Sequence, residues 1–226
     1  MKNYDELYAM KSVSDFVFMS NSVEDKLSAL IGGDQPFPTA GKTGILLWGA
    51  VGTGKTALAK LIPDAIESRF SGNPTNPLFF RISQGGINGA QVITQIIKVA
   101  ELVPFGATHH YFILDEVDQL RHESMNSLRS IMGYPNSIFI LTTNHLNKIE
   151  ASSKSRCHLI ECNAAPDSNW LPVVKNILAM EGVGSIYSDD ALLRVIAACN
   201  GCARDILSLT FGLAIKAQKL LANKAA

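Results

Sequence analysis

The chain has 226 residues, 47% hydrophobic and 18% charged, with 20 Lys and Arg balancing 20 Asp and Glu. This excludes a disordered chain, which combines low hydrophobicity with high net charge, and neutrality argues against a general nucleic-acid coat, which is ordinarily basic. No run of about 18 apolar residues occurs, against a membrane span, and the start MKNYDELYAMK lacks the apolar segment of a secretory leader. We expect a soluble, intracellular, cytoplasmic chain with one larger and one smaller domain.

In chain order, Val23, Leu27, Leu30 and Ile31 have helical spacing, with Asn21 as N-cap and Glu24 three residues on. Ile45–Trp48 reads as a strand and Ala57–Ile62 as a helix that Pro63 should end or kink. Strand Leu78–Phe80 precedes a helical stripe of Val92, Ile93, Ile96, Ile97 and Ala100. Strand Tyr111–Leu114 precedes a shorter stripe of Met125, Leu128, Ile131 and Met132, then strands Ile138–Leu141 and His158–Ile160 follow. The strand runs are almost continuously apolar, as in a parallel sheet covered on both faces. The expectation is an α/β fold, a five-stranded parallel sheet between helices.

After Asn163 the pattern changes. Ala165-Pro166-Asp167-Ser168 reads as a linker ending in a helix cap, followed by helical stripes Trp170–Met180, Asp190–Ala198 and Ala203–Leu221. Gly182 and Gly184 separate the first two, and Ser188-Asp189-Asp190 caps the second. With no strand signal here, the expected division is an α/β domain over 1–163 and a small all-helical domain over 164–226, with Trp170 in the helical core.

The chemistry lies at the strand ends. Gly49-Ala50-Val51-Gly52-Thr53-Gly54-Lys55-Thr56 stands between a strand and a helix, the setting a P-loop requires. Its glycines let successive N–H groups, from Gly49 through Gly52, Thr53 and Gly54 to Ala57, turn toward phosphates, and the helix N-terminus adds its positive dipole end. Lys55 would reach the β- and γ-phosphates and the Thr56 hydroxyl would bind Mg²⁺. Asp115-Glu116 ends a buried strand, where open α/β sheets hold ligands. Asp115 would hold Mg²⁺ and Glu116 would orient and activate the attacking water for hydrolysis. Asn144, at the tip of the next strand, can hydrogen-bond the γ-phosphate or that water. Ser155-Arg156-Cys157 reads by itself as a solvated arginine. The adjacent His109-His110 pair reads as a polar loop before a strand.

Taken with Gly201-Cys202-Ala203-Arg204-Asp205, these motifs resemble an AAA+ ATPase of the replication factor C/clamp-loader family. Asp115–Leu120 with Ser127-Leu128-Arg129 is similar to that family's acid motif and the helix after it. Phe16–Ile31 resembles its N-terminal box, and Glu181-Gly182-Val183 with Ser188–Leu192 its helical lid. The resemblance implies that Asn144 is sensor 1 and that Arg156 is an arginine finger reaching a neighbouring subunit's γ-phosphate. It implies that Arg204 is sensor 2 on the lid, that Val17 packs beside adenine, and that Ser83 can hold the catalytic Glu inactive. Cys157 then belongs to the S-R-C motif, while Cys199 and Cys202 flank the sensor-2 helix start. Zinc binding by the two cysteine pairs is therefore set aside.

The resemblance further implies a homo- or hetero-oligomeric ring or spiral around primed or junction DNA, working with a sliding clamp or helicase, at the nucleoid or a replication site. Segments Gln84–Ala90 and Leu120–Arg129 would face the DNA, with Lys98, Arg121 and Arg129 as phosphate contacts. Two features depart from the family: Met19-Ser20-Asn21 stands where its box has a Gly, and the sequence ends about where the lid should, without the helical collar. Other readings are a helicase loader or replication initiator, or a non-hydrolysing subunit that binds ATP as structural glue.

Overall fold

Five apolar runs form one parallel sheet. The computed structural model describes residues 3–83 and 89–225, and its strands are β1 (Gly44–Trp48), β2 (Leu78–Arg81), β3 (His110–Asp115), β4 (Ser137–Thr143) and β5 (Cys157–Glu161). They lie in the order β2-β3-β4-β1-β5, all pairs parallel. β4 is buried along its whole length because it sits mid-sheet.

The helices are α1 (Tyr4–Leu7), α2 (Asn21–Gly32), α3 (Lys55–Glu67), α4 (Gly89–Ala100), α5 (His122–Ile131), α6 (Ala151–Lys154), α7 (Asp167–Met180), α8 (Asp189–Ala197) and α9 (Ala203–Ala225). The chain divides into two compact units. One comprises 21–49 and 55–162; the other comprises 1–20, 50–54 and 163–226.

In the sheet unit, α3 packs on β1, β3 and β4, α2 on α3 and β5, and α4 on β3 and α5. Covering both faces is what makes the strands continuously apolar. One core layer joins Leu46, Phe112, Leu114, Phe139 and Leu141 to Val92, Ile96, Met125 and Leu128 of α4 and α5. The fully buried Phe112 and Phe139 rings stack 5.2 Å apart, so truncating either to Ala would cost about 3–5 kcal/mol.

Pro63 neither ends α3 nor shortens it to Ile62: the helix continues to Glu67. The proline removes one ladder donor, a cost of about 3 kcal/mol, yet Ile62, Pro63 and Ile66 are buried and the far end is tied down. Glu67, with 0% exposure, accepts hydrogen bonds from the Ser71 hydroxyl (2.6 Å), the Thr108 amide (2.8 Å) and hydroxyl (2.9 Å), and the Tyr111 phenol (2.8 Å). Tertiary anchoring on both sides of Pro63 outweighs the local break.

In the helical unit, α7, α8 and α9 enclose a core that includes Trp170, Val174, Leu178, Leu192, Ile196, Ile206 and Ala214. The Ser188 hydroxyl caps α8 by accepting from the Ala191 amide at 3.3 Å. The N-terminal segment belongs here too. Tyr4 and Tyr8 stack on Phe211 at 5.0 and 5.6 Å, and the Tyr8 hydroxyl donates to Glu181 at 2.7 Å. Burial, then the hydrogen bond and charge of Glu181, push the Tyr8 phenol up to about 12. Among the described residues no helix is long and apolar enough to cross a membrane.

Candidate nucleotide site

Strand register builds the polar end of the sheet. Arg81 pairs with Asp115 across β2 and β3, Leu114 with Leu141 across β3 and β4, and Leu47 and Trp48 with Thr142 and Thr143 across β1 and β4. The last residues of four strands therefore line one carboxyl edge, and α3 begins just beyond it with Lys55 and Thr56.

Asp115 is the hub. Its carboxylate is 1% exposed. Oδ1 accepts from the Thr56 and Thr142 hydroxyls, both at 2.7 Å, and Oδ2 accepts from Arg81 Nε at 3.0 Å. Thr142 Oγ1 also accepts from the Glu116 amide at 3.0 Å, so one buried hydroxyl ties the two acids together. Glu116 is left-handed, φ 62° and ψ 47°. That conformation costs a residue with a Cβ about 1–2 kcal/mol, and such strain concentrates at functional sites.

Asp118 organises the neighbouring tip. Its Oδ1 accepts from the Thr143 hydroxyl at 2.8 Å and from the Asn144 amide at 3.4 Å, which sets where the half-buried Asn144 side chain starts. Lys55 is only 6% exposed, and its Nζ donates to the Gly49 carbonyl at 2.9 Å. Burial pulls its ammonium below the ordinary lysine range; nearby Cys162, Asp115, Asp118 and Glu116 act in the opposite direction. Ala57, next in α3, is exposed. Thr56 and Asp115 together offer a hydroxyl and a carboxylate, the hard oxygen donors that Mg²⁺ takes beside phosphate, so these residues fit the ion.

The loop tip, 50–54, belongs to the helical unit. Gly52 and Gly54 have φ of 83° and 94°, a region closed to most side chains. A Cβ on Gly52 would meet Cys202 Sγ at 2.5 Å. The Gly52 carbonyl accepts from the Arg204 amide at 3.3 Å, Asn163 Oδ1 accepts from the Ala50 amide at 2.9 Å, and Thr53 Oγ1 donates to the Ala50 carbonyl at 3.0 Å. The Arg204 side chain is exposed. Val17 packs half-buried against the helical core, between Phe16 and Phe18, whose rings meet edge-on at 4.8 Å.

Arg156 is elsewhere. It precedes β5, and its carbonyl accepts from the Thr43 and Gly44 amides at 3.1 and 3.0 Å, which places it at the amino edge of the sheet. The strands between it and Asp115 span on the order of 15 Å. Ser83, Lys98, Arg121 and Arg129 are exposed, while 84–88 of the Gln84–Ala90 segment lie outside the described residues. The four cysteines are free, and all but Cys202 are buried. Burial pushes the Cys157 and Cys162 thiols up to about 12.

Sequence reasoning missed Arg81, Thr142, Asp118 and Asn163. Thr142 and Asp118 flank motif residues, and that adjacency is the signal that could have found them. Arg81 has no local signal, because its partner is 34 positions away.

The family model of the "ATPase family associated with various cellular activities (AAA)" matches residues 45–163. The chain is 26% identical over 181 residues to DNA polymerase III subunit gamma of Buchnera aphidicola (subsp. Schizaphis graminum), covering 73% of this chain and 49% of that one. It is 26% identical over 172 residues to replication factor C subunit 3 of rice, Oryza sativa subsp. japonica, covering 73% and 46%. The chain thus spans about half the length of these relatives. Among solved structures, a single-residue variant of RuvB from Thermotoga maritima superposes with a TM-score of 0.69 at 17% identity, covering 95% of this chain and 73% of that one. A DNA polymerase III gamma subunit-related protein from the same organism gives 0.53 at 15%, covering 81% and 70%; at these identities both likenesses speak for the fold alone. A buried P-loop lysine, an acid-tipped parallel strand and the family match agree: the chain belongs to the AAA family of ATPases and is similar in sequence to DNA polymerase III gamma and replication factor C subunits.

Proposed function

We propose that this protein is an ATP-hydrolysing AAA+ switch of DNA replication, clamp-loader-like, that assembles through ATP sites shared between subunits around DNA. The contact of Thr56 with Asp115 at the carboxyl edge carries the reading, because it gathers a P-loop hydroxyl and an acidic strand end. ATP would lie along the loop from Gly49 to Ala57, with Lys55 on the β- and γ-phosphates. Bound Mg²⁺ would supply charge neutralisation on the phosphate oxygens. Thr56 and Asp115 would hold it, Glu116 would orient and deprotonate the attacking water, and Asn144 would position that water.

Arg156 would act on a neighbour's nucleotide. What supports this is its separation from Asp115 within one chain; an arginine supplied in trans contributes about 10³–10⁵ in rate in related phosphoryl transfers. Residues 1–163 would form the nucleotide domain and 164–226 a lid carrying Arg204, with Val17 near the adenine. Partners would be further subunits, primed or junction DNA, and a sliding clamp or helicase, in the cytoplasm at replication sites.

The test is ATP turnover against protein concentration, with and without primed DNA, for wild type and Arg156→Ala. Turnover per subunit should rise with concentration and with DNA, and Arg156→Ala should lose about 10³-fold or more while still binding ATP. A rate flat with concentration and indifferent to both DNA and Arg156 would overturn the shared-site reading.

A further inference from the structure

We propose that Arg81 is a built-in counter-ion at the metal edge: it occupies the Asp115 oxygen that a divalent cation would draw on, and so sets how much Mg²⁺ the site requires. This rests on the reading of Asp115 as a metal ligand.

A buried carboxylate needs a compensating charge or a full set of donors, and here both oxygens are engaged by the chain's own groups. Oδ1 takes two hydroxyls and Oδ2 takes the guanidinium. The pairing is built into the sheet, because Arg81 and Asp115 are register neighbours on β2 and β3. The two ends of the ion pair differ sharply. Asp115 is 1% exposed and fixed, whereas the Arg81 side chain is 60% exposed.

That asymmetry makes the arginine the exchangeable partner. Its long side chain can turn into water, and the cation that displaces it takes over the compensation the buried carboxylate needs. Thr56 and Thr142 sit in a helix and a strand and cannot leave in the same way. A divalent cation beside Asp115 would repel the guanidinium, so metal and Arg81 compete for one carboxylate. A purely structural ion pair would give a different result: removing Arg81 would lower stability and leave the metal requirement unchanged.

The test uses Mn²⁺ as a paramagnetic stand-in. Free Mn²⁺ is followed by electron paramagnetic resonance while the full-length protein, held with a non-hydrolysable ATP analogue, is titrated. Wild type is compared with Arg81→Met, Arg81→Gln and Asp115→Asn, and thermal melting reports whether each variant is folded. Arg81→Met should half-saturate at about fivefold lower Mn²⁺, the scale of one partly exposed charge pair. Arg81→Gln should shift the same way, and Asp115→Asn should weaken Mn²⁺ binding. If Asp115→Asn weakens binding but both Arg81 variants match wild type or need more Mn²⁺, the counter-ion role is wrong while the metal-ligand reading stands. If Asp115→Asn binds Mn²⁺ like wild type, both fall.

Discussion

Two buried carboxylates in the sheet unit, Glu67 and Asp115, are satisfied in different ways. Glu67 takes four hydrogen bonds, all from neutral donors on the chain around it. Asp115 takes two hydroxyls and one cation, and the cation is mostly in water. Burial alone therefore does not separate an anchor from a site; the exchangeability of the donors does. Neutral donors locked by the fold leave nothing for a ligand to replace. A solvent-facing arginine can be replaced.

The largest effect that would test this contrast is on stability. Glu67→Ala strips the partners from Ser71, Thr108 and Tyr111 and should destabilise the protein by about 3 kcal/mol, read by urea unfolding, with nucleotide affinity unchanged below the melting range. The contrast breaks if the variant is as stable as wild type. Burial raises the Glu67 carboxyl, but hydrogen bonds from Ser71, Thr108 and Tyr111 outweigh it and leave it below its usual 4.5. A lowered carboxyl contributes stability that is present above 4.5 and lost as pH falls through the folded value. Glu67→Gln should flatten that acid limb in unfolding measured from about pH 6 down to about 3.

A middle-sized effect is expected at Thr142. Thr142→Val keeps the shape of a fully buried strand position but removes the acceptor for the Glu116 amide and a donor to Asp115. Turnover should fall about tenfold from one lost buried hydrogen-bond link, with ATP affinity close to wild type. Unchanged turnover would mean that Thr142 only packs.

The smallest effect concerns Lys55. Its pKa is lowered chiefly by burial, so the ammonium that would meet phosphate loses its proton earlier on the alkaline side than a free lysine. As pH rises, nucleotide affinity by calorimetry should begin to fall before pH 10.5 is reached. Lys55→Arg, which stays charged, should bind more weakly overall but with a flat profile. A wild-type profile as flat as that of Lys55→Arg would remove Lys55 from the phosphate contact.

Much of the fold is legible in the sequence because the chain has strong local periods. All five strands can be read from apolar runs, and the structure extends each by one to three residues, for example from Ile138–Leu141 to Ser137–Thr143. The P-loop is legible because its glycines and lysine are contiguous and lie between strand and helix. Pro63 misleads about where α3 ends, because proline's cost is local while its compensation, Ile62 and Ile66 in the core and Glu67 in a hydrogen-bond cluster, is tertiary. The packing of Tyr4 and Tyr8 on Phe211 is invisible for the same reason, since about 200 residues lie between the partners.

By itself the sequence determined the alternation of strands and helices, the phosphate-loop motif and the acids at a strand end. Each of these is carried by neighbours along the chain, through side-chain period, backbone freedom or helix capping. Tertiary structure alone decided that Arg81 faces Asp115, that Thr142 joins the two acids and that Arg156 stands at the opposite edge of the sheet from them. Those relations depend on strand order and register, which bring together residues with no local reason to meet.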